Sequence, residues 1–236
     1  MNRKDANHVD GILLVDKPAE WTSFDVVNLI RRQFHLDKTG HCGTLDPFAT
    51  GLLVVLLGKA TRLQDTLMAQ EKTYCGTLRL GEETETEDLT GKVVRTAPLP
   101  ESLTLEGLQA LADSFLGEGL QRPPMHSAIK VNGQPLYKLA RKGQVVERPP
   151  RPVSIHAFRL ENFRPPEVDF VVECSKGTYI RTLGADLARK AGCGGHLRAL
   201  RRLRSGDHEV KDAFPVEEIR TWDLEALQGH LSPLPA

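Results

Sequence analysis

Three short stretches set an ionisable or aromatic side chain in a glycine-punctuated loop beside an apolar strand or helix. In GHCGTLDPFATGLL, Asp46 precedes Pro47, which biases the Asp46 backbone toward an extended conformation, and Gly43 and Gly51 permit tight turns on either side. The arrangement holds a carboxylate at a strand mouth. With a second carboxylate it could flank a sugar bond, as in glycoside hydrolysis. Capping of the Pro47 turn is the competing, purely structural job for an Asp here. In EKTYCGTLRLG, Tyr74 falls on a strand, where core packing is the default role of an aromatic residue. In CSKGTYIRTLG, Tyr179 and Arg181 stand at the start of a helix, and an arginine on a solvated helix face is the plain alternative.

Other chemistries find no support in the sequence. His41, Cys42 and Asp46 have no second cluster to complete a metal site, so zinc is not expected. GxSxG, GxxxxGK[ST], HExxH and dinucleotide fingerprints are absent from the sequence, so any chemistry falls to protein groups. The four cysteines, Cys42, Cys75, Cys174 and Cys193, are scattered singly and read as free thiols.

The 236 residues, 40% hydrophobic and 26% charged, have ordinary globular composition. The longest apolar run, Leu52 to Leu57, is too short to cross a bilayer, and no secretory signal precedes Ile12, so a cytoplasmic setting is expected. Lys and Arg total 31, as do Asp and Glu, a balance that argues against a nucleic-acid partner. The distribution argues the other way. Residues 121–151 carry seven basic side chains against Glu147, and residues 176–204 carry eight against Asp186. Such segregation suits a polyanion-binding face, although solvated helix ends and strand faces would also account for it.

The elements that must position these residues follow from periodicity. GILLVDKP reads as a buried strand, and Thr22 or Ser23 caps a helix with Phe24, Val27, Ile30 and Phe34 inward. Residues 35–50 form a loop into a strand at Leu52–Leu57, and a helix follows near Thr61–Ala69. Lys72–Leu80 is a strand, Glu82–Asp88 an acidic solvated turn, Lys92–Thr96 a strand and Leu105–Phe115 a helix ended by Gly117 and Gly119. Gln121–Pro150, with five prolines and a helical stretch at Leu136–Arg141, is a long basic excursion. Strands at Val153–Phe163 and Val168–Cys174, a helix at Thr178–Lys190 and a strand or turn-rich segment at Leu197–Leu203 come last. Without regular βαβ alternation, the fold class is α+β with a largely antiparallel sheet.

GHCGTLDPFATGLL, KTYCGTLRLG, PPMHSAIK, SKGTYIRTL and HLRALRR, in this order, resemble the bacterial tRNA pseudouridine synthase B (TruB) family, from about Gly11 to Phe214. The resemblance implies the pseudouridine synthase fold as a single catalytic domain with an RNA-binding insertion at about 121–151. It also implies isomerisation of uridine 55 in the tRNA T loop to pseudouridine without a cofactor. Asp46 matches the family's catalytic aspartate, which attacks the nucleotide covalently or abstracts a sugar proton. Arg181 matches the arginine paired with it, and Tyr74 the aromatic residue stacked on the target base. Tyr179 and Leu200 match pocket-lining residues, and His41 the histidine that fills the space left by the flipped base. The basic excursion, with Lys130 and Arg141, corresponds to the RNA-gripping insertion, and Lys17 of the KP motif to a supporting residue.

Two departures accompany the resemblance. Many members continue into a C-terminal PUA domain, whereas about twenty residues follow Phe214 here, so that domain is expected to be absent. His126 stands where some members have tyrosine and receives no catalytic role. The expected protein is a monomer whose partner is tRNA. A non-catalytic RNA-folding protein with the same basic surface is the main rival, and a hydrolase releasing uracil the second.

Overall fold

The computed structural model describes residues 6–127, 129–131, 133–140 and 142–234, with Lys130 and Val131 described in backbone only. β1 (Gly11–Lys17) leads into α1 (Ser23–Gln33), closed by a capping box. Thr22 Oγ1 accepts from the Asp25 N–H, and the Asp25 carboxylate accepts from the Thr22 N–H. β2 (Thr39–Cys42) and β3 (Thr50–Leu57) follow, then a 3-10 turn at Gly58–Leu63 that runs into α2 (Gln64–Ala69). Next come β4 (Lys72–Leu80), a hairpin of β5 (Glu82–Thr84) and β6 (Val93–Thr96), α3 (Leu105–Asp113) and β7 (Gly117–Gln121). The short pair β8 (Lys130–Val131) and β9 (Gln134–Pro135) precedes α4 (Leu136–Ala140) and the long strands β10 (Arg151–Arg164) and β11 (Glu167–Cys174). α5 (Ile180–Lys190), β12 (Gly195–Ser205), β13 (His208–Glu209), β14 (Phe214–Pro215), α6 (Val216–Ile219) and α7 (Leu224–Gly229) are the remaining elements.

The chain divides into two compact units, one of residues up to Tyr74 and from Leu200 onward, the other Cys75–Ala199. In the first, β1 lies between β14, parallel to it, and β3, antiparallel to it with Gly11 opposite Leu57 and Lys17 opposite Gly51. The other edge of β3 takes β2 antiparallel and, at Thr50–Gly51, β12 parallel. Because both faces of β3 are covered, its sequence is a continuous apolar run rather than an alternation. Leu53, Val55 and Leu57 pack with Val26, Val27 and Ile30 of α1 and with Val216, Ile219 and Leu227, while Leu52, Val54 and Leu56 pack with Ile12, Leu14 and Ala60.

In the second unit the strand order is β12, β4, β11, β10, β7. β11 alternates, with Val168, Phe170, Val172 and Cys174 buried and the residues between them half-buried, as expected of a sheet that buries one face more fully. Phe158 and Phe170 meet edge to face at 6.0 Å, and α3 packs against β10. The fold class is α+β with a mainly antiparallel sheet, as the sequence indicates.

Several expectations need correction. The loop at 35–50 contains strand β2, too short and too polar to show a period. Gly117 and Gly119 do not only end α3; they belong to edge strand β7, where pairing with β10 overrides their low strand propensity. Phe24 is 63% exposed, because the buried face of α1 is Ser23, Val26, Val27 and Ile30, and Phe24 falls outside it at about 100° per residue. The segment at 197–203 is part of the continuous strand β12. No helix among the described residues is long and apolar enough to cross a membrane.

The junction of β3 and β12 generates a prediction. Gly51 has φ +99°, and a Cβ there would lie 2.3 Å from the Arg202 carbonyl oxygen and 2.8 Å from its nitrogen. Both obstacles are backbone, so Gly51→Ala should cost about 2 kcal/mol or more, measured as a drop in urea unfolding free energy.

Candidate active site

Asp46 sits half-buried in the loop between β2 and β3, and its carbonyl accepts from the Ala49 N–H at 3.1 Å. Four attachments fix this loop. Lys17, fully buried at the end of β1, donates through its ammonium to the carbonyls of Pro18 (2.7 Å), Trp21 (2.6 Å) and Pro47 (3.2 Å). The Glu20 N–H also donates to the Pro47 carbonyl, at 2.8 Å. Ser23 Oγ accepts from the Leu45 N–H at 2.9 Å, joining the loop to the first residue of α1. Arg202 of β12, 1% exposed, donates from Nε to Leu52 O at 2.7 Å and from Nη2 to Gly43 O at 3.0 Å, bridging the two sides of the loop. Gly43 at φ +78° admits this approach, since a Cβ there would lie 3.2 Å from Arg202 Nη1.

The same unit holds His41, Tyr74 and Leu200. His41, on β2, is half-buried; burial, reinforced by the Arg202 charge, lowers its pKa from the ordinary 6.5, so the ring is neutral at pH 7. Its Nδ1 has no hydrogen-bond partner among the described residues. Burial pushes the neighbouring Cys42 thiol up to about 11, leaving it protonated. Tyr74, half-buried on β4, stands two residues beyond Lys72, whose buried ammonium is held by the carbonyls of Met68 and Gln70. Leu200 is 7% exposed on β12.

Arg181 and Tyr179 belong to the second unit. Arg181, in the first turn of α5, is 3% exposed, not the solvated arginine that its helical position would allow. Its Nη1 donates to Thr86 O at 2.7 Å and lies 3.4 Å from the Asp88 carboxylate, and Nη2 donates to His126 O at 2.8 Å. Asp88 is itself buried, and its Oδ1 accepts from Thr86 Oγ1, the Thr90 N–H and Thr90 Oγ1 at 2.6–2.9 Å. Tyr179 is the N-cap of α5, and its backbone is gripped by the Gln121 side-chain amide. The Tyr179 N–H donates to Oε1 at 2.8 Å, and Nε2 donates to the Tyr179 carbonyl at 3.0 Å.

Asp88, Gln121 and Arg202 are therefore site-supporting residues that sequence reasoning missed. The acidic run is not a solvated turn. Glu87 accepts from Thr182 Oγ1 at 2.6 Å and pairs with Arg189, which also pairs with Glu83 and Asp186, so much of the run is the counter-charge of α5. The basic segment 176–204 needs correction for the same reason. Arg181 and Arg202 are buried, Arg201 pairs bidentately with Asp16, and Arg198 pairs with Glu167, so much of its excess is neutralised inside the protein. In the excursion, Leu136 is fully buried and Arg148 Nη1 donates to Pro123 O at 3.0 Å. Arg141 and the side chain of Lys130 lie outside the described residues.

The mainly antiparallel α+β fold and the matches to known proteins place the chain in the pseudouridine synthase class. A solved structure of a Cbf5–Nop10–Gar1 complex matches 94% of this chain and 60% of that one, with TM-score 0.73 and 28% identity. The profile of the TruB family pseudouridylate synthase N-terminal domain matches residues 31–180, and that of the tRNA pseudouridylate synthase B C-terminal domain matches residues 181–236. The tRNA pseudouridine synthase B of Opitutus terrae is 46% identical over 96% of this chain and 93% of its own length. That of Syntrophotalea carbinolica is 49% identical over 89% and 69%. This chain belongs to the TruB family.

Two predictions follow from the buried charges. Asp88→Ala removes the buried carboxylate beside Arg181 and the acceptor of Thr86 Oγ1, the Thr90 N–H and Thr90 Oγ1, and should lower the unfolding free energy by about 3 kcal/mol in urea melts. Burial pushes Lys17 down to about 8 from 10.5, against the smaller opposing pull of Asp46. Between those values the unfolded chain holds the proton that the folded chain has lost, so the stability owed to Lys17 rises with pH across the window and falls as pH drops through 8. The urea midpoint of the wild type relative to Lys17→Met should rise from pH 8 to pH 10; a constant difference would contradict the assignment.

Proposed function

We infer that this chain is a tRNA pseudouridine synthase that isomerises uridine 55 of the T loop, with Asp46 at the centre of the reaction. The observation that carries the reading is the placement of Asp46, in a chain of this family, on a loop fixed by Lys17, Ser23 and Arg202. A carboxylate held by backbone it does not itself have to organise is pre-positioned for chemistry on a nucleotide.

The C1′–N1 bond breaks, the uracil turns, a C1′–C5 bond forms, the hydrogen on C5 leaves as a proton, and N1 takes one up. Atoms and oxidation state are conserved, so the reaction calls for no cofactor. Asp46 acts as the ionised group, by attack on the nucleotide or by removal of a sugar proton. The resemblance gives Arg181 the part of favouring the ionised form of Asp46, and Tyr74 that of stacking on the base and assisting proton transfer at C5. Tyr179 and Leu200 form the pocket for the flipped base, with Leu200 as its apolar wall, and neutral His41 takes the space the base leaves. The excursion at 121–151, with Lys130 and Arg141, grips the T arm through shape and phosphate contacts. We propose that the two units work as a single catalytic domain, monomeric and cytoplasmic.

Tritium release from C5-tritiated uridine in an unmodified tRNA transcript tests the reading. The wild-type chain should release tritium from position 55. Asp46→Asn should lose at least a thousandfold in rate while keeping tRNA affinity within a few fold. Wild-type release from a transcript with cytidine at position 55, or Asp46→Asn activity near that of the wild type, would refute it.

A further inference from the structure

We propose that Gln121 is a positioning residue for the reaction, one that transmits the seating of RNA on the basic excursion to the head of α5. The inference rests on the function proposed above. Gln121 is the last residue of β7, and its cross-strand partner on β10 is Arg151. The excursion therefore leaves the sheet at Gln121 and rejoins it opposite, at Arg151, so this pair is the foot of the whole segment. The Gln121 side chain does not point along the excursion. It is 7% exposed, and its amide closes a two-bond clamp on the backbone N–H and carbonyl of Tyr179.

That backbone needs an external clamp. Tyr179 is an N-cap with no side-chain capping bond, at φ −92° and ψ 106°. Its carbonyl already accepts the first helical bond, from the Leu183 N–H at 3.0 Å, so Nε2 of Gln121 is a second donor to the same oxygen. Upstream, the turn into Tyr179 is tied down by Ser175, whose Oγ accepts from the Ser154 N–H, and by Thr178 Oγ1, which donates to Ser175 O. The clamp thus fixes both peptides flanking Tyr179, between this turn and the helix that carries Arg181. A second tie runs parallel to it: Arg181 Nη2 donates to the carbonyl of His126, five residues into the excursion from Gln121. Both residues at the head of α5 that the function uses are tied to the near end of the RNA-binding segment, Tyr179 through its backbone and Arg181 through its guanidinium. A shift of that segment on RNA binding moves the helix head with it.

The same unit supplies an internal control. Gln109 makes an equivalent clamp elsewhere, with Nε2 donating to Phe158 O at 2.9 Å and Oε1 accepting from the Leu160 N–H at 2.8 Å, between α3 and β10. Loss of either clamp costs stability, but only one sits at the head of α5.

The experiment compares Gln121→Met, Gln121→Glu and Gln109→Met by single-turnover tritium release at saturating tRNA, by tRNA Kd and by thermal midpoint. Gln121→Met should lose at least tenfold in saturated rate with Kd within about twofold. Gln121→Glu, which keeps the acceptor for the Tyr179 N–H and loses the donor to its carbonyl, should fall between Gln121→Met and wild type. Gln109→Met should lower the midpoint and keep the wild-type saturated rate. Should Gln121→Met fail to fold, Gln121→Glu decides alone. A wild-type saturated rate in the Gln121 variants, a loss confined to Kd, or an equal loss in Gln109→Met would each overturn the proposal. Absence of release by the wild-type chain would instead strike the proposed function, which separates the two failures.

Discussion

The loop that carries Asp46 depends on one buried guanidinium. Arg202 reaches from β12 to the carbonyls of Gly43 and Leu52, and its own backbone presses so closely on Gly51 that no Cβ fits between. A charge at 1% exposure is expensive to desolvate, and the fold offsets that cost with carbonyl dipoles from two sides of the loop. Removing Arg202 would take the same donor from the carbonyls on both sides of the loop. The loop is consequently determined by its surroundings more than by its own sequence. Lys17 repeats the device at the neighbouring turn, gathering three carbonyls around one ammonium.

Arg181 obeys the same rule with a different solution. Its acceptors include two carbonyls and a carboxylate, and that carboxylate is oriented by two threonine hydroxyls and a backbone N–H. Replacement of a buried ion pair by apolar side chains is often neutral or stabilising, so retention of the pair argues for a requirement other than stability.

How much of this was legible in the sequence differed by the range of the signal. Periods of 2 and 3.6 identified β11, α3 and α5, and an unbroken apolar run identified β3, because each buries one face or both against a continuous core. Gly43 and Gly51 were legible as turn residues, and both have positive φ. β2 was not, because four residues bonded to a single neighbour carry no period. Asp88 was hidden among five acidic residues from Glu82 to Asp88, a run whose composition says solvent; only the tertiary approach of α5 selects the one that is buried. Gln121 gave no signal because its partner is backbone, which has no sequence identity to read. Asp46, Tyr74 and Arg181 stood out in glycine-punctuated stretches of the sequence, their expected roles came from the resemblance, and the polar supports of the Asp46 loop and of Arg181 came from the structure.

The charge pattern is the clearest case in which structure changes the meaning of composition. Two basic segments looked equivalent, yet of the arginines at 176–204, Arg181, Arg189, Arg198, Arg201 and Arg202 are each buried or paired with acids or carbonyls of the protein. A cation already neutralised in this way releases no counterion from RNA when RNA binds. In the excursion, by contrast, Arg122, Lys138, Lys142 and Arg151 are exposed. On the proposed function the salt dependence of tRNA binding therefore originates mainly in 121–151, whereas the basic residues of α5 and β12 set the geometry of the site. Net charge of zero is compatible with a polyanion partner for this reason: paired and buried cations build the protein, and on the proposed function the exposed ones of the excursion meet the RNA.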